Sequence, residues 1–191
     1  INTLKEQDML YTVIERGLDG DSNIFNQEIV NVFSDVFNYN LEWDKFLSIA
    51  EKESLDVIIS NTTEAGLTYK NVEFDDVQKE GLYPAKLTAF LAHRFNTLGN
   101  ISKKLLILPC ELVSENGKVL KEYVIKHSED FKLSKEFKTW VEENCLFLNN
   151  LVDRIVPGYP RGEENEYFER LGYIDSALSM CEPYFLWAIE G

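Results

Sequence analysis

Hydrophobic positions along the chain fall into short runs separated by stretches of helical spacing. The run at 10–14 (LYTVI) is β-branched and aromatic and predicts a strand. Residues 17–22 (GLDGDS) predict a turn. Over 26–37 the apolar residues Ile29, Val30, Val32, Phe33, Val36 and Phe37 predict an amphipathic helix. Asn40 is the expected cap of the next helix, where Trp43, Phe46, Leu47 and Ala50 share one face. Residues 55–60 (LDVIIS) predict a buried strand. They lead into Asn61-Thr62-Thr63-Glu64-Ala65-Gly66 and an acidic loop over 71–81.

Pro84 predicts a helix start, because its missing N–H costs nothing in the first turn. Leu87, Phe90, Leu91, Arg94 and Leu98 mark that helix's inner face, and Gly99 its stop. The run at 104–110 (KLLILPC) is the most apolar strand candidate. Asn116-Gly117 reads as a turn pair before a helix over 118–130, with Val119, Leu120, Tyr123, Val124 and His127 on one stripe. Ser134 is the expected cap of a helix that turns Phe137, Trp140 and Val141 inward. Residues 149–158 are strand-like, 162–170 are charged and read as solvated, and 183–189 (PYFLWAI) read as a strand or buried segment. Strands alternating with helices predict an α/β fold with a mainly parallel sheet. Ligands in such sheets sit beyond the carboxyl ends of the strands. That places 61–66, 110–117 and Asp153-Arg154 at strand exits.

Composition narrows the function. The 191 residues are 45% hydrophobic and 27% charged, which suits one globular domain, or one domain plus a piece of another. Nineteen basic against 33 acidic side chains give a net charge of -14. Such a surface repels a phosphate backbone on average, so no nucleic-acid partner is expected. No apolar run is long enough to span a bilayer, and no membrane partner is expected. Residues 1–8 have neither the basic nor the apolar region of a signal peptide. The chain starts Ile-Asn-Thr, without Met, and reads as processed or as part of something longer. Cys110, Cys145 and Cys181 are three and widely spaced, which fits free thiols in a reducing cytoplasm. With only His93 and His127 beside them, a metal site is not expected.

The chemistry-bearing segments each admit two readings. Residues 61–66 place polar and small groups after a buried strand, as an ordinary turn or as a ligand-contacting one. Glu64 is a solvated carboxylate or, beside a pocket, a proton-handling one. Asp153 and Arg154 lie inside an apolar stretch and would need partners if buried, supplied by ion pairing or by a ligand. There is no G-x-G-x-x-G, no P-loop and no G-x-S-x-G.

Taken in order, Asn61-Thr-Thr-Glu-Ala-Gly66, Tyr83-Pro-Ala-Lys-Leu-Thr88, Leu108-Pro-Cys-Glu-Leu112 with Asn116-Gly117, Leu151-Val-Asp-Arg-Ile-Val-Pro-Gly-Tyr-Pro160 and Leu171-Gly-Tyr173 with Asp175 resemble the polyol-specific long-chain dehydrogenases, the mannitol dehydrogenase family. The resemblance covers essentially the whole chain and is nearest the members that act on an aldonate. It implies a Rossmann-like α/β domain, incomplete, with the family's helical C-terminal domain absent. Residues 1–191 would be the central and C-terminal part of the dinucleotide-binding domain. The glycine-rich unit would lie upstream and the helical catalytic domain downstream. The implied activity is hydride transfer between NAD and a small polyol or sugar acid, without a catalytic metal.

The family's catalytic Lys, in a K-x4-N-x2-H pattern, has no counterpart in these 191 residues, so the chain alone should be inactive. Carried over position by position, Glu64 matches a Glu that helps move a proton toward solvent. Asn61, Thr62 and Thr63 border the nicotinamide side of the cofactor. Asp153, next to Arg154, matches a polyol-contacting Asp, and Lys86 is a candidate for a substrate carboxylate. Mannitol-type members carry Cys-Asp-Asn where this chain has Cys110-Glu111-Leu112. Leu112 cannot replace that alkoxide-stabilising Asn, which leaves Asn116 as the nearby candidate. A non-catalytic dinucleotide-binding module remains the alternative of a different class.

Overall fold

The computed structural model describes residues 1–19, 22–99 and 103–190. In chain order the elements are α1 (Asn2–Glu6), β1 (Tyr11–Asp19), β2 (Ser22–Val30), α2 (Trp43–Ala50), β3 (Val57–Ser60), a 3₁₀ turn (Phe74–Asp76), α3 (Val77–Glu80), α4 (Tyr83–Leu98), β4 (Leu105–Pro109), α5 (Asn116–Asp130), α6 (Lys135–Asn144), β5 (Cys145–Phe147), β6 (Asn149–Asp153), α7 (Glu164–Leu171), β7 (Ser179–Cys181) and β8 (Leu186–Glu190). Two compact units result. The larger takes Asn38–Val152 and the residues from Trp187 onward, and the smaller Ile1–Phe37 and Asp153–Leu186. Among the described residues no helix is long and apolar enough to cross a membrane.

The larger unit is built on a parallel sheet in the order β3-β4-β5. Strand alternation sends Ile58, Leu105, Ile107, Cys145 and Phe147 to one face. There they meet Leu87, Phe90 and Leu91 of α4, Leu120 and Val124 of α5, and Phe137, Trp140 and Val141 of α6. Each such aliphatic side chain contributes roughly 1.5–3 kcal/mol when fully buried. On β3 the alternate residues Val57 and Ile59 remain 39% and 57% exposed. Pro84 sits in the first turn of α4, and the helix stops at Gly99, whose φ of +65° favours glycine. Arg94, buried in α4, donates from Nη1 to the carbonyls of Ala50 (2.7 Å) and Lys52 (2.9 Å). A cation thus answers the orphan carbonyls at the end of α2. Ser134 Oγ accepts from Phe137 N at 3.1 Å and caps α6.

In the smaller unit β1 pairs antiparallel with β2 from Tyr11↔Val30 to Asp19↔Ser22, and parallel with β7. Ile14, Tyr167, Leu178 and Met180 form its core. The buried Asp175 accepts from Thr12 N, Gln7 Nε2 and Ala177 N.

The α/β class and the mainly parallel pairing are as expected, and several elements differ. The helix expected over 26–37 is instead β2 followed by irregular chain, because pairing with β1 satisfies the backbone of 22–30. Of the turn at 17–22, residues 17–19 extend β1, and 20 and 21 lie outside the described residues. Asn40 does not cap α2. Glu42 stands at the cap, where its side chain makes no capping bond and instead accepts from Asn38 N at 3.1 Å, and Asn40 Oδ1 accepts from Lys86. Asn116-Gly117 is the buried first turn of α5 rather than a loop before it. The strand at 149–158 ends at Asp153, the charged 162–170 segment carries α7 with Tyr167 buried, and β8 is exposed throughout.

Candidate active site at the exits of β3 and β4

Strands β3 and β4 end side by side, with Ser60 opposite Pro109 and Cys110 N donating to Ser60 O at 2.7 Å. The turn at 61–66 and the loop at 110–115 therefore leave one sheet edge together, where parallel sheets bind ligands. Glu111 joins them. Only 2% exposed, its carboxylate accepts from Ser60 Oγ (3.1 Å), Thr62 N (2.9 Å) and Thr62 Oγ1 (2.9 Å). The turn closes tightly: Gly66 N donates to the carbonyl and hydroxyl of Thr63, and a Cβ on Gly66 would overlap the Thr62 side chain. Thr63 takes φ +146°, a conformation L-residues rarely adopt, and the turn's own hydrogen bonds hold it there. The Tyr83 hydroxyl is enclosed beside Ser60 without a well-formed hydrogen bond. Burial holds its proton well above the usual tyrosine range; Ser60 opposes this, and the Glu111 charge adds to it.

A lattice of asparagines continues the site. Asn116, fully buried, donates from Nδ2 to Glu111 O (2.9 Å) and Asn150 O (2.8 Å), and its Oδ1 accepts from Asn150 N (2.8 Å). Asn149 Oδ1 accepts from Gly117 N (3.1 Å) and Lys118 N (3.2 Å), capping α5 from β6. Trp187 Nε1 donates to Asn150 Oδ1 at 2.9 Å. These groups border a cleft of about 450 Å³, lined by the loop Glu111–Glu115, by Asn149–Leu151 and by Ala188–Glu190. Burial raises the pKa of the Cys110 thiol just after β4, and the Glu111 charge adds to it, so that sulfur is a poor nucleophile. Among the described residues no group of His, Cys, Asp and Glu is placed to hold a metal ion.

The expected site residues fall in four places: the turn after β3, the start of α5, α4 and the end of β6. Asn61, Thr62, Thr63 and Glu64 lie on the turn after β3, exposed by residue, with Thr62 held by Glu111. Asn116 lies beneath the cleft with both amide protons committed to main-chain carbonyls. Lys86 is buried in α4, donates to Asn40 Oδ1 at 2.8 Å and stands 4.3 Å over the Tyr39 ring. Burial lowers its pKa. Asp153 closes β6 and is exposed. Arg154 pairs with Glu15 Oε1 at 2.8 Å and donates to Glu182 O at 3.0 Å within the smaller unit. Glu111, Tyr83, Asn149 and Asn150 were not singled out from the sequence. The available signal was Glu111 itself, a carboxylate two positions beyond the most apolar strand.

The whole chain, residues 1–191, matches the family model described as the mannitol dehydrogenase Rossmann domain. It is 44% identical over 98% of its length to an altronate oxidoreductase of Halalkalibacterium halodurans, and 39% and 37% identical over its full length to those of Bacteroides thetaiotaomicron and Bacillus subtilis. It spans 37% of the first of these proteins and 40% of the other two. A D-sorbitol dehydrogenase in substrate-free form superposes with TM-score 0.79 at 18% identity, over 98% of this chain and 40% of that one. The Pseudomonas fluorescens mannitol 2-dehydrogenase, in its complex with NAD and D-mannitol, gives 0.77 at 18%, over 99% and 39%. At that identity the likeness is one of fold. By sequence along its entire length, the chain belongs to the mannitol dehydrogenase family.

Proposed function

We propose that the protein containing this chain is an NAD-dependent oxidoreductase that interconverts altronate and tagaturonate in the cytoplasm. The observation that carries this reading is the 37–44% identity to three altronate oxidoreductases across the chain. In the oxidative direction the carbinol C–H leaves as hydride to the nicotinamide and the O–H proton goes to a base. That base, the family's Lys, is expected outside these residues, and the chain's part is to position and to relay.

The residues present fit one end of a dinucleotide. The turn at 61–66 is exposed, closely packed at Gly66 and set at the strand exits, which suits the nicotinamide side. The start of α5 does not fit the pyrophosphate, because the N–H groups of Gly117 and Lys118 are already bonded to Asn149, and the sequence has no glycine-rich turn. In this reading Asn61, Thr62 and Thr63 wall the cofactor, and the exposed Glu64 passes the proton to solvent. The exposed Asp153 meets a substrate hydroxyl. Asn116 fastens the loop below, since its amide protons are spoken for. Lys86 and Arg154 have partners of their own and serve structure.

The test is NADH formation by the complete gene product with altronate, mannonate and mannitol. Turnover of altronate is expected. Turnover of mannonate or mannitol alone moves the assignment to a fructuronate reductase or mannitol 2-dehydrogenase. No turnover of any of the three, with no K-x4-N-x2-H beyond residue 191, leaves a non-catalytic dinucleotide-binding module.

A further inference from the structure

We infer that Glu111 is a positioning residue for the hydride-transfer site, its buried carboxylate clamping the turn after β3 to the loop after β4. The inference rests on the dehydrogenase reading, because it assigns that turn to the nicotinamide side. Among the described residues no cation pairs with Glu111. Burying a carboxylate without a cation is costly, and an apolar side chain would pack there without that cost. What the carboxylate supplies instead is a two-ended acceptor. Oε1 takes both the N–H and the hydroxyl of Thr62, while Oε2 takes the hydroxyl of Ser60 on the neighbouring strand end.

Thr62 is also the side chain on which Gly66 closes, so fixing it fixes the turn. The main-chain carbonyl of Glu111 accepts from Asn116, so the same residue sets the wall of the cleft at the start of α5. One side chain therefore registers two surfaces against each other. A misplacement of about 1 Å at a reacting centre costs on the order of 10²-fold in rate.

The chemistry of glutamine makes this testable. In Glu111→Gln, Oε1 still accepts both Thr62 donors, and Nε2 donates to Ser60 Oγ, whose hydroxyl rotates to accept. Geometry survives while charge is lost. In Glu111→Ala all three donors lose their acceptor. Thr62→Val removes only the hydroxyl bond and keeps Thr62 N. The measurements are kcat and KM of the complete gene product with altronate and NAD, melting temperature, and hydrogen exchange of the Thr62 amide. The expected results are a Gln variant within about threefold of the parent and an Ala variant lower by roughly 10²-fold, chiefly in kcat. The Val variant is expected between them. Thr62 exchange should be slow in parent and Gln and fast in Ala.

A Gln variant as impaired as a folded Ala variant would overturn the inference, since charge rather than position would then matter. So would a folded Ala variant with parental kcat. If Ala does not fold, a Val variant with parental kcat and slow exchange overturns it. A parent inactive on every aldonate and polyol instead sinks the dehydrogenase reading, a distinct outcome.

Discussion

At His127 an ionisable side chain has been turned into packing. The ring is fully buried, lies tilted against Tyr69 at 4.8 Å, stacks with Phe131 at 5.4 Å, and neither nitrogen has a hydrogen-bond partner. Asp130, which faces it at 3.8 Å, is engaged by the Tyr69 hydroxyl, and Lys126 lies over the Tyr69 ring. Burial lowers the pKa of His127; Asp130 opposes this and Lys126 adds to it. Below the ordinary histidine value of about 6.5 the unfolded chain gains a proton that the folded chain resists. Stability is therefore whole above that value and is lost as pH falls toward the lower folded one. His127→Phe keeps the stack and removes the titration, so its melting temperature should fall less than the parent's between pH 7 and pH 5. Parallel curves would show that the ring does not stay neutral.

The sequence placed His127 on the inner stripe of α5, because helical spacing fixes a face. It singled out Glu64 and passed over Glu111, two carboxylates that both follow apolar strands. Glu111 is buried for a reason outside its own segment: its donors Ser60 and Thr62 come from the end of β3 and the turn after it, where Glu64 stays exposed.

Among the elements, α5 begins where the sequence suggested a turn. Gly117 is there for space. A Cβ would come within 2.5 Å of Leu148 C and O and 2.8 Å of Asn149 N. Alanine would favour the helix by about 1 kcal/mol. Overpacking against backbone costs about 1–3 kcal/mol, so the net effect is destabilising. Gly117→Ala should lower unfolding free energy in urea and weaken the Asn149 cap. A more stable variant would mean that β6 yields easily.

Length separates the elements that could be read from those that could not. α4, α5, α6 and β4 carry enough residues for a period to show. β5 and β7 have three residues each, too few for any period, and exist because β4 and β1 supply partners. Residues 22–30 hold apolar groups that suit either a helix face or a strand, and pairing with β1 decided it.

For the molecule as a whole, the proposed hydride transfer draws on a K-x4-N-x2-H motif that the 191 residues do not contain. The chain spans 37–40% of its altronate oxidoreductase relatives. Without a free helix N-terminus in a glycine-rich turn, residues 1–191 alone should bind NAD with Kd above about 1 mM. Calorimetric titration at micromolar affinity would contradict this and would place a phosphate site within the chain.

What the sequence determined by itself is local or ordered along the chain. The strand and helix alternation of the parallel sheet, the caps at Ser134 and Gly99, the family and the turn at 61–66 all follow from neighbouring residues or from motif order. The tertiary structure alone decided what depends on segments distant in sequence. Glu111 became the clamp, Asn116 a fastening with no free proton, and Asn149 the cap of α5. A side chain's hydrogen-bond partners and burial are properties of its neighbours in space, and those neighbours come from strands some 30 to 50 positions away.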